Sequence, residues 1–170
     1  FDDAGQTLRF YETNKEHLAP WDPKIPSDFY SLKYWEQKNQ SAQDEFLMKS
    51  ALRFNIYLKE TNELIGMCNF TGIERGPFQN CHLGYKLGEK FEGEGFMQEA
   101  LRASIDFIFK KWNLHRIEAN YIPRNKRSGN TLKALGFEEH GLAKNYLRIA
   151  GQWQDHTLTS IVNEEWKVED

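Results

Sequence analysis

Helices layered on a mixed sheet, an α/β (α+β) domain, is the fold this sequence predicts. Three observations lead there. Hairpin-like pairs of alternating apolar runs occupy residues 53–73 and 144–162. Between them a strand-like CHLGYKL leads through KFEGEGFMQEAL, a pair of glycines opening a helical run. A second strand and helix follow, HRIEANYI and SGNTLKALGF. Hairpins around strand–helix units bury their apolar faces by stacking helix on sheet.

The elements follow in order. DDAGQTLRFYETNKEHL carries Leu8, Tyr11 and Leu18 at helical spacing, which predicts a first helix over about 3–14. APWDPKIPS holds three prolines in seven residues and reads as a loop over 19–27. DFYSLKYWEQKNQSAQDEF is helical, with Phe29, Leu32, Tyr34 and Trp35 inward and Ser27 as its N-cap. RFNIYLKETNELIGMCNFTGI reads as two strands around a turn at Glu60–Asn62. After CHLGYKL comes a helix over about 96–112, with Met97, Ala100, Leu101, Ile105 and Ile108 on one stripe. HRIEANYI places Ile117, Ala119 and Tyr121 on one strand face. SGNTLKALGF stops at Gly136, and KNYLRIAGQWQDHTLTSIV turns near Ala150–Gly151.

The 170 residues fit one domain, expected over 1–170, with no repeat or linker. Apolar residues make up 39% and charged residues 28%, a globular composition, and no run approaches the roughly 18 apolar residues of a membrane span. No leader-type segment is visible, so a cytoplasmic location and no membrane partner are expected. Cys68 and Cys81 have no metal-type spacing and read as buried thiols, a disulfide being the alternative. A net charge of −3 argues against a nucleic-acid-binding face over the whole molecule.

Gly93 and Gly95 sit where a helix begins. A helix N-terminus offers unpaired N–H groups and a positive dipole end, and glycine lets an anion approach the backbone. A dinucleotide fingerprint would need a third glycine where Gln98 stands, and a P-loop would need Lys-Ser/Thr where Phe96 and Met97 stand. The pyrophosphate of coenzyme A and a glycine turn without a ligand remain.

Four further runs add to this pair. NKEHLAPWDP, LGYKLGEKFEGEGFMQEAL, HRIEANYIPRNKRSGNTLKALGF and GLAKNYLRIAGQWQDHTLTSIV, in that order, resemble the GNAT acetyltransferases. More narrowly, they resemble the RimJ/RimL-type enzymes that acetylate ribosomal proteins, nearest the branch acting on an N-terminal alanine. The last run includes the family's Gly-x-x-x-Asp, here Gly151 and Asp155. The resemblance implies a mostly antiparallel, splayed sheet with helices on both faces. It also implies acetyl-CoA as co-substrate, no metal, a ribosomal-protein N-terminus as acceptor and contact with the ribosome. Its opening strand has no counterpart in these residues, which begin in the following helix.

Residue by residue, the resemblance places the pantetheine arm against Tyr85, Lys86 and Leu87, with an N–H near Leu87 facing the thioester oxygen. It places the pyrophosphate at Lys90, Phe91, Glu92, Gly93, Glu94, Gly95 and Phe96. Lys90 departs from the family's Arg or Gln, at little cost where backbone N–H groups bind. Asn120, Asn125 and Ser128 complete the cofactor set. Many relatives place a Tyr seven residues after the motif Asn as acid to the thiolate. Here that residue is Leu132, and the RimJ/RimL pattern offers Ser128 instead. Ser128 equally suits an N-cap, and Asn125 equally suits capping the turn. The PRNKR cluster (123–127) suits the 3′-phosphate of coenzyme A, ribosomal RNA or solvent.

The base stays open among Glu118, the expected candidate, and His82, His140 and His156; each also suits an ordinary structural role. A free α-amine is neutral roughly 200-fold more often than a lysine at pH 7, so a site without a strong base suits an N-terminus. Trp21 would wall the acceptor's entry or sit in the core. A small-amine acetyltransferase, acting on an antibiotic or polyamine, and a non-catalytic acetyl-CoA-binding module in ribosome assembly are the alternatives.

Overall fold

The computed structural model describes residues 3–168. The chain runs α1 (Asp3–Thr13), α2 (Lys15–Leu18), α3 (Leu32–Leu47), β1 (Leu52–Leu58), β2 (Glu63–Glu74) and β3 (Asn80–Leu87). A 3-10 turn at Glu89–Phe91 leads to α4 (Phe96–Lys111), β4 (Arg116–Glu118), α5 (Lys126–Ala134), β5 (Glu138–Ile149) and β6 (Gln152–Val162). The strands form one open sheet in the order β1-β2-β3-β4-β6-β5, and only β3 and β4 run parallel.

Side chains alternate across the sheet, and each face meets its own helices. On one face Cys68, Phe70, Cys81, Leu83 and Ile117 pack with Leu101, Ile105 and Ile108 of α4 and Leu132 of α5. On the other, Leu64 and Met67 pack with Phe10 and Tyr11 of α1, Leu18 and Phe29. Trp35 of α3 stacks on Tyr11 at 4.8 Å between ring centres. Cys68 and Cys81 are buried free thiols, and burial pushes the Cys81 thiol up to about 12.

Two helix starts differ from the sequence reading. Helix α3 begins at Leu32, capped by Ser31, whose hydroxyl accepts the Tyr34 N–H at 3.2 Å. Ser27 lies four residues upstream in a turn, because Phe29 is drawn into the aromatic core instead of the helix. Helix α5 begins at Lys126, and its cap is Asn125, whose Oδ1 accepts the Ser128 N–H at 3.2 Å. Ser128 is therefore inside the first turn and is not the cap. Gly136, at φ +89°, ends α5 as expected.

The sheet opens in its middle. β3 pairs with β4 only where Asn80, Cys81 and His82 face Arg116, Ile117 and Glu118. Beyond Glu118 the chain follows β6: Ala119 N–H donates to Thr159 O at 3.0 Å, and Tyr121 and Thr157 exchange two bonds of 3.1 and 2.8 Å. The Asn120 side chain adds a further link to β6 by accepting the Thr159 N–H at 3.1 Å. The expected long strand over HRIEANYI is thus three residues plus an isolated bridge. Among the described residues, Leu83–Leu87 of β3 have no strand paired on that side.

Candidate functional site

The far half of β3 borders the opening. Gly88 N–H donates to Ile65 O on β2 at 2.8 Å. Strand N–H groups alternate between edges, so those of Leu87 and Tyr85 face away from β2, into the gap.

A cavity of about 720 Å³ runs from this gap to the start of α4. Tyr85, Lys86, Leu87, Glu92, Gly93, Gly95, Asn125 and Ser128, expected from the sequence, all line it. Gly93 and Gly95 adopt φ +84° and +85°, and Gly95 is the N-cap of α4. A Cβ built on either would meet nothing within 4 Å, so the space over the turn is open. Lys90 and Phe91 line a separate cavity below the turn, with Lys90 Nζ 2.7 Å from Glu63. Phe96 packs edge-on against Phe91, and Glu94 is exposed.

A second cavity, about 610 Å³, lies at the opening between β3 and residues 118–122, walled also by β5, β6 and loop residues 21–23. Asn69, His82, Glu118, Asn120, Tyr146 and His156 are among its walls. The two cavities share Trp21, Asp22, Tyr85, Lys86, Asn125 and Ser128. At that shared wall the Ser128 hydroxyl lies 2.7 Å from the Tyr85 hydroxyl, which also lies 3.2 Å from the Ser128 carbonyl. A carbonyl only accepts, so when Tyr85 donates to it, Ser128 donates to Tyr85. Burial pushes the Tyr85 phenol up to about 12, against the hydrogen bond with Ser128, which lowers it.

Loop residues 19–27 are pinned over both cavities. Lys86 Nζ lies 2.6 and 2.7 Å from the two Asp22 carboxylate oxygens and 4.9 Å from the centre of the Tyr11 ring. Burial alone would lower the Lys86 pKa, but Tyr11 and Asp22 offset it, and the net direction is up. Asp22 O accepts the Ala150 N–H from the β5–β6 turn at 2.9 Å. Arg124 lies over Trp21 at 4.7 Å, which places Trp21 at the cavities and outside both apolar cores. In the PRNKR cluster, Arg127 pairs with Glu92, which also lies 3.1 Å from His17 Nε2.

The base candidates separate by environment. Glu118 pairs with Arg116 at 3.2 Å and with His82 at 3.7 Å. His140 Nε2 is 2.6 Å from Ser160 Oγ. Asp155 accepts the Asn145 N–H at the β5 bulge, where Asn145 has φ +49°. His17, Leu18, Asp22, Met97, Gln98, Asn130, Thr131 and Tyr146 were missed by the sequence reading. Gln98 and Met97 were findable, as the first turn of a helix opening on the glycines.

A sheet parted beside a glycine-capped helix, with one cavity on each side of a shared hydroxyl wall, defines a two-substrate transferase of the acyl-coenzyme A class. The chain belongs to the GNAT acetyltransferase family: residues 2–138 match the family described as "Acetyltransferase (GNAT) domain". It is 40% identical over 164 residues to the [Ribosomal protein uS5]-alanine N-acetyltransferase of Escherichia coli, covering 96% of this chain and 84% of that one. The ribosomal-protein-S5-alanine acetyltransferase structure from Vibrio fischeri superposes with a TM-score of 0.94 at 40% identity, covering 98% of this chain and 91% of that one. Mycobacterium smegmatis RimJ in complex with CoA-disulfide gives 0.89 at 31% identity, over 96% and 78% of the two chains. The mixed, mostly antiparallel sheet flanked by helices is the fold these relatives share. Among the described residues no helix is long and apolar enough to cross a membrane.

Proposed function

We propose that this acetyltransferase moves the acetyl group of acetyl-CoA to the N-terminal α-amine of a ribosomal protein that begins with alanine. The carrying observation is the shared wall: donor and acceptor cavities meet at Tyr85 and Ser128. The names of the relatives supply the acceptor class.

The residues present fit the donor. Gly93, Gly95 and the α4 N-terminus present backbone N–H groups under open space, as a pyrophosphate requires. The free edge of β3 at Tyr85–Leu87 suits the amide-bearing pantetheine arm. Acetyl-CoA supplies an activated acyl carbon on sulfur. The Leu87 N–H stabilises negative charge on the carbonyl oxygen. When Tyr85 turns its hydroxyl proton from the Ser128 carbonyl to Ser128 Oγ, Ser128 is free to hand its own proton to the departing sulfur, and the high pKa of Tyr85 keeps it protonated at neutral pH. Asn125 holds Ser128 in place by capping α5. Trp21 forms the acceptor's apolar wall, and Asn120, tied to Tyr146 and Thr159, shapes its floor.

The test offers acetyl-CoA with an alanine-leading peptide, the same peptide N-terminally blocked but carrying a lysine, and a panel of polyamines and aminoglycosides. The first alone is expected to be acetylated, with kcat/KM rising with pH and levelling near the α-amino pKa of about 8. Preference for the lysine or for a small polycation would overturn the acceptor and leave the donor site standing.

A further inference from the structure

The acceptor cavity has a buried histidine that the donor chemistry does not use. His156, on β6, is only 3% exposed and lines that cavity. Its Nδ1 lies 3.1 Å from Gln154 O. A carbonyl can only accept, so Nδ1 carries the proton in that bond and a neutral ring leaves a lone pair on Nε2. Nε2 has no hydrogen-bond partner among the described residues. The ring is steadied by Tyr146 at 5.5 Å, and Tyr146 in turn accepts from Asn120 at 3.2 Å.

The other protonatable groups nearby are less suited. Glu118 shares its carboxylate between Arg116 at 3.2 Å and His82 at 3.7 Å, so its oxygens are already engaged. The His82 side chain is 49% exposed. His140 does not line the cavity and is bonded to Ser160. An imidazole nitrogen left open at a cavity wall is placed to meet a ligand there.

We infer that His156 is the catalytic base of the acceptor side, its Nε2 taking the proton shed by the attacking α-amine. This rests on the acetyl-transfer reading above. The nitrogen lone pair forms the C–N bond while the C–S bond breaks and its electron pair leaves on sulfur. One proton passes from nitrogen to His156 Nε2, and sulfur receives one through Ser128. The imidazolium then returns its proton to solvent, and Ser128 regains one from solvent by way of Tyr85. The Gln154 carbonyl fixes the tautomer, so the open nitrogen faces the acceptor without reorganisation. Asp155, the neighbouring residue, is occupied by the bulge and does not orient the ring.

Two substitutions separate this from a packing role. His156→Asn keeps a donor near the Nδ1 position and removes Nε2, and His156→Gln keeps a polar cavity group without an imidazole. Both are assayed with whichever acceptor the wild-type protein turns over fastest, so a wrong acceptor class does not spoil the comparison. Both are expected to bind acetyl-CoA normally, to melt near the wild-type temperature and to lose about 10²-fold in kcat, as for a general base. With a peptide ending in an alkoxyamine, whose weakly basic nitrogen becomes a strong acid on attack and can shed its proton to water, the loss should shrink to about tenfold or less. With coenzyme A bound, adding peptide should shift the His156 Nε2 nitrogen resonance, and N-acetylated peptide should not. Wild-type kcat in either folded variant, an equal loss with both acceptors, or an unmoved resonance would overturn the inference.

Discussion

The hydroxyls of Tyr85 and Ser128 lie 2.7 Å apart although 43 residues separate them. The contact joins the free edge of β3 to the first turn of α5 and closes the wall between the two cavities. Ser128→Ala is expected to lower kcat by about 10²-fold with acetyl-CoA affinity unchanged. Stability should hardly move, because Asn125 is the helix cap. Tyr85→Phe should cost about tenfold in kcat, less than a primary acid–base group. The double variant should be no slower than Ser128→Ala, since the two act as one unit. Steady-state kinetics and melting curves on the three proteins check this.

Gly95→Ala tests the anion site. At φ +85° an alanine costs about 1–2 kcal/mol in backbone strain. Gly76, at φ +69° in the β2–β3 turn, carries the same kind of strain far from the cavity. Gly76→Ala should therefore lose similar stability with unchanged acetyl-CoA affinity. Gly95→Ala should in addition weaken binding by about tenfold, because its methyl stands where the pyrophosphate must reach the backbone. Titration calorimetry on both variants separates strain from binding.

The Asp22–Lys86 pair holds loop 19–27 to β3, with side chains 18% and 19% exposed. Asp22→Asn leaves an ammonium half-paired among aromatic rings. It should destabilise by about 2–3 kcal/mol, below the range for a fully buried pair, a fall of about 4–12 °C in Tm. Replacing both partners, as Asp22→Leu with Lys86→Met, should recover much of that loss. The single variant should also raise the KM for the acceptor, since Trp21 loses its anchor.

Stability should fall at alkaline pH. Burial holds the Tyr57 phenol at about 12, helped by its hydrogen bond to Asp3, and burial likewise holds Tyr85 at about 12. A phenol in the unfolded chain titrates near 10. A raised folded pKa means stabilisation that is complete below about pH 10 and lost as pH climbs towards 12. Lys86, also raised, loses its contribution in the same direction. Melting temperatures taken from pH 9 to 12 should decline, and Tyr57→Phe should flatten the decline.

What the sequence by itself determined is what neighbouring residues impose on one another. The 96–112 helix, the hairpins turning at Glu60–Asn62 and Ala150–Gly151, the glycine mouth and the stop at Gly136 all follow from periodicity and backbone freedom within a few residues. So did most of the donor cavity, because its residues cluster in two short runs. Aromatic packing moved the α3 cap from Ser27 to Ser31, a competition that local propensity does not contain. Only the tertiary structure decided where the sheet opens, since that depends on β4 leaving β3 to bond with β6 some 40 residues onward. The same holds for the acceptor side: Asp22 meets Lys86 across 64 residues, Ser128 meets Tyr85 across 43, and His156 reaches the cavity from a different strand pair. Local sequence sets φ, ψ and which face a side chain takes, whereas distant partners are chosen by register and burial of the whole sheet, which short-range pattern does not encode.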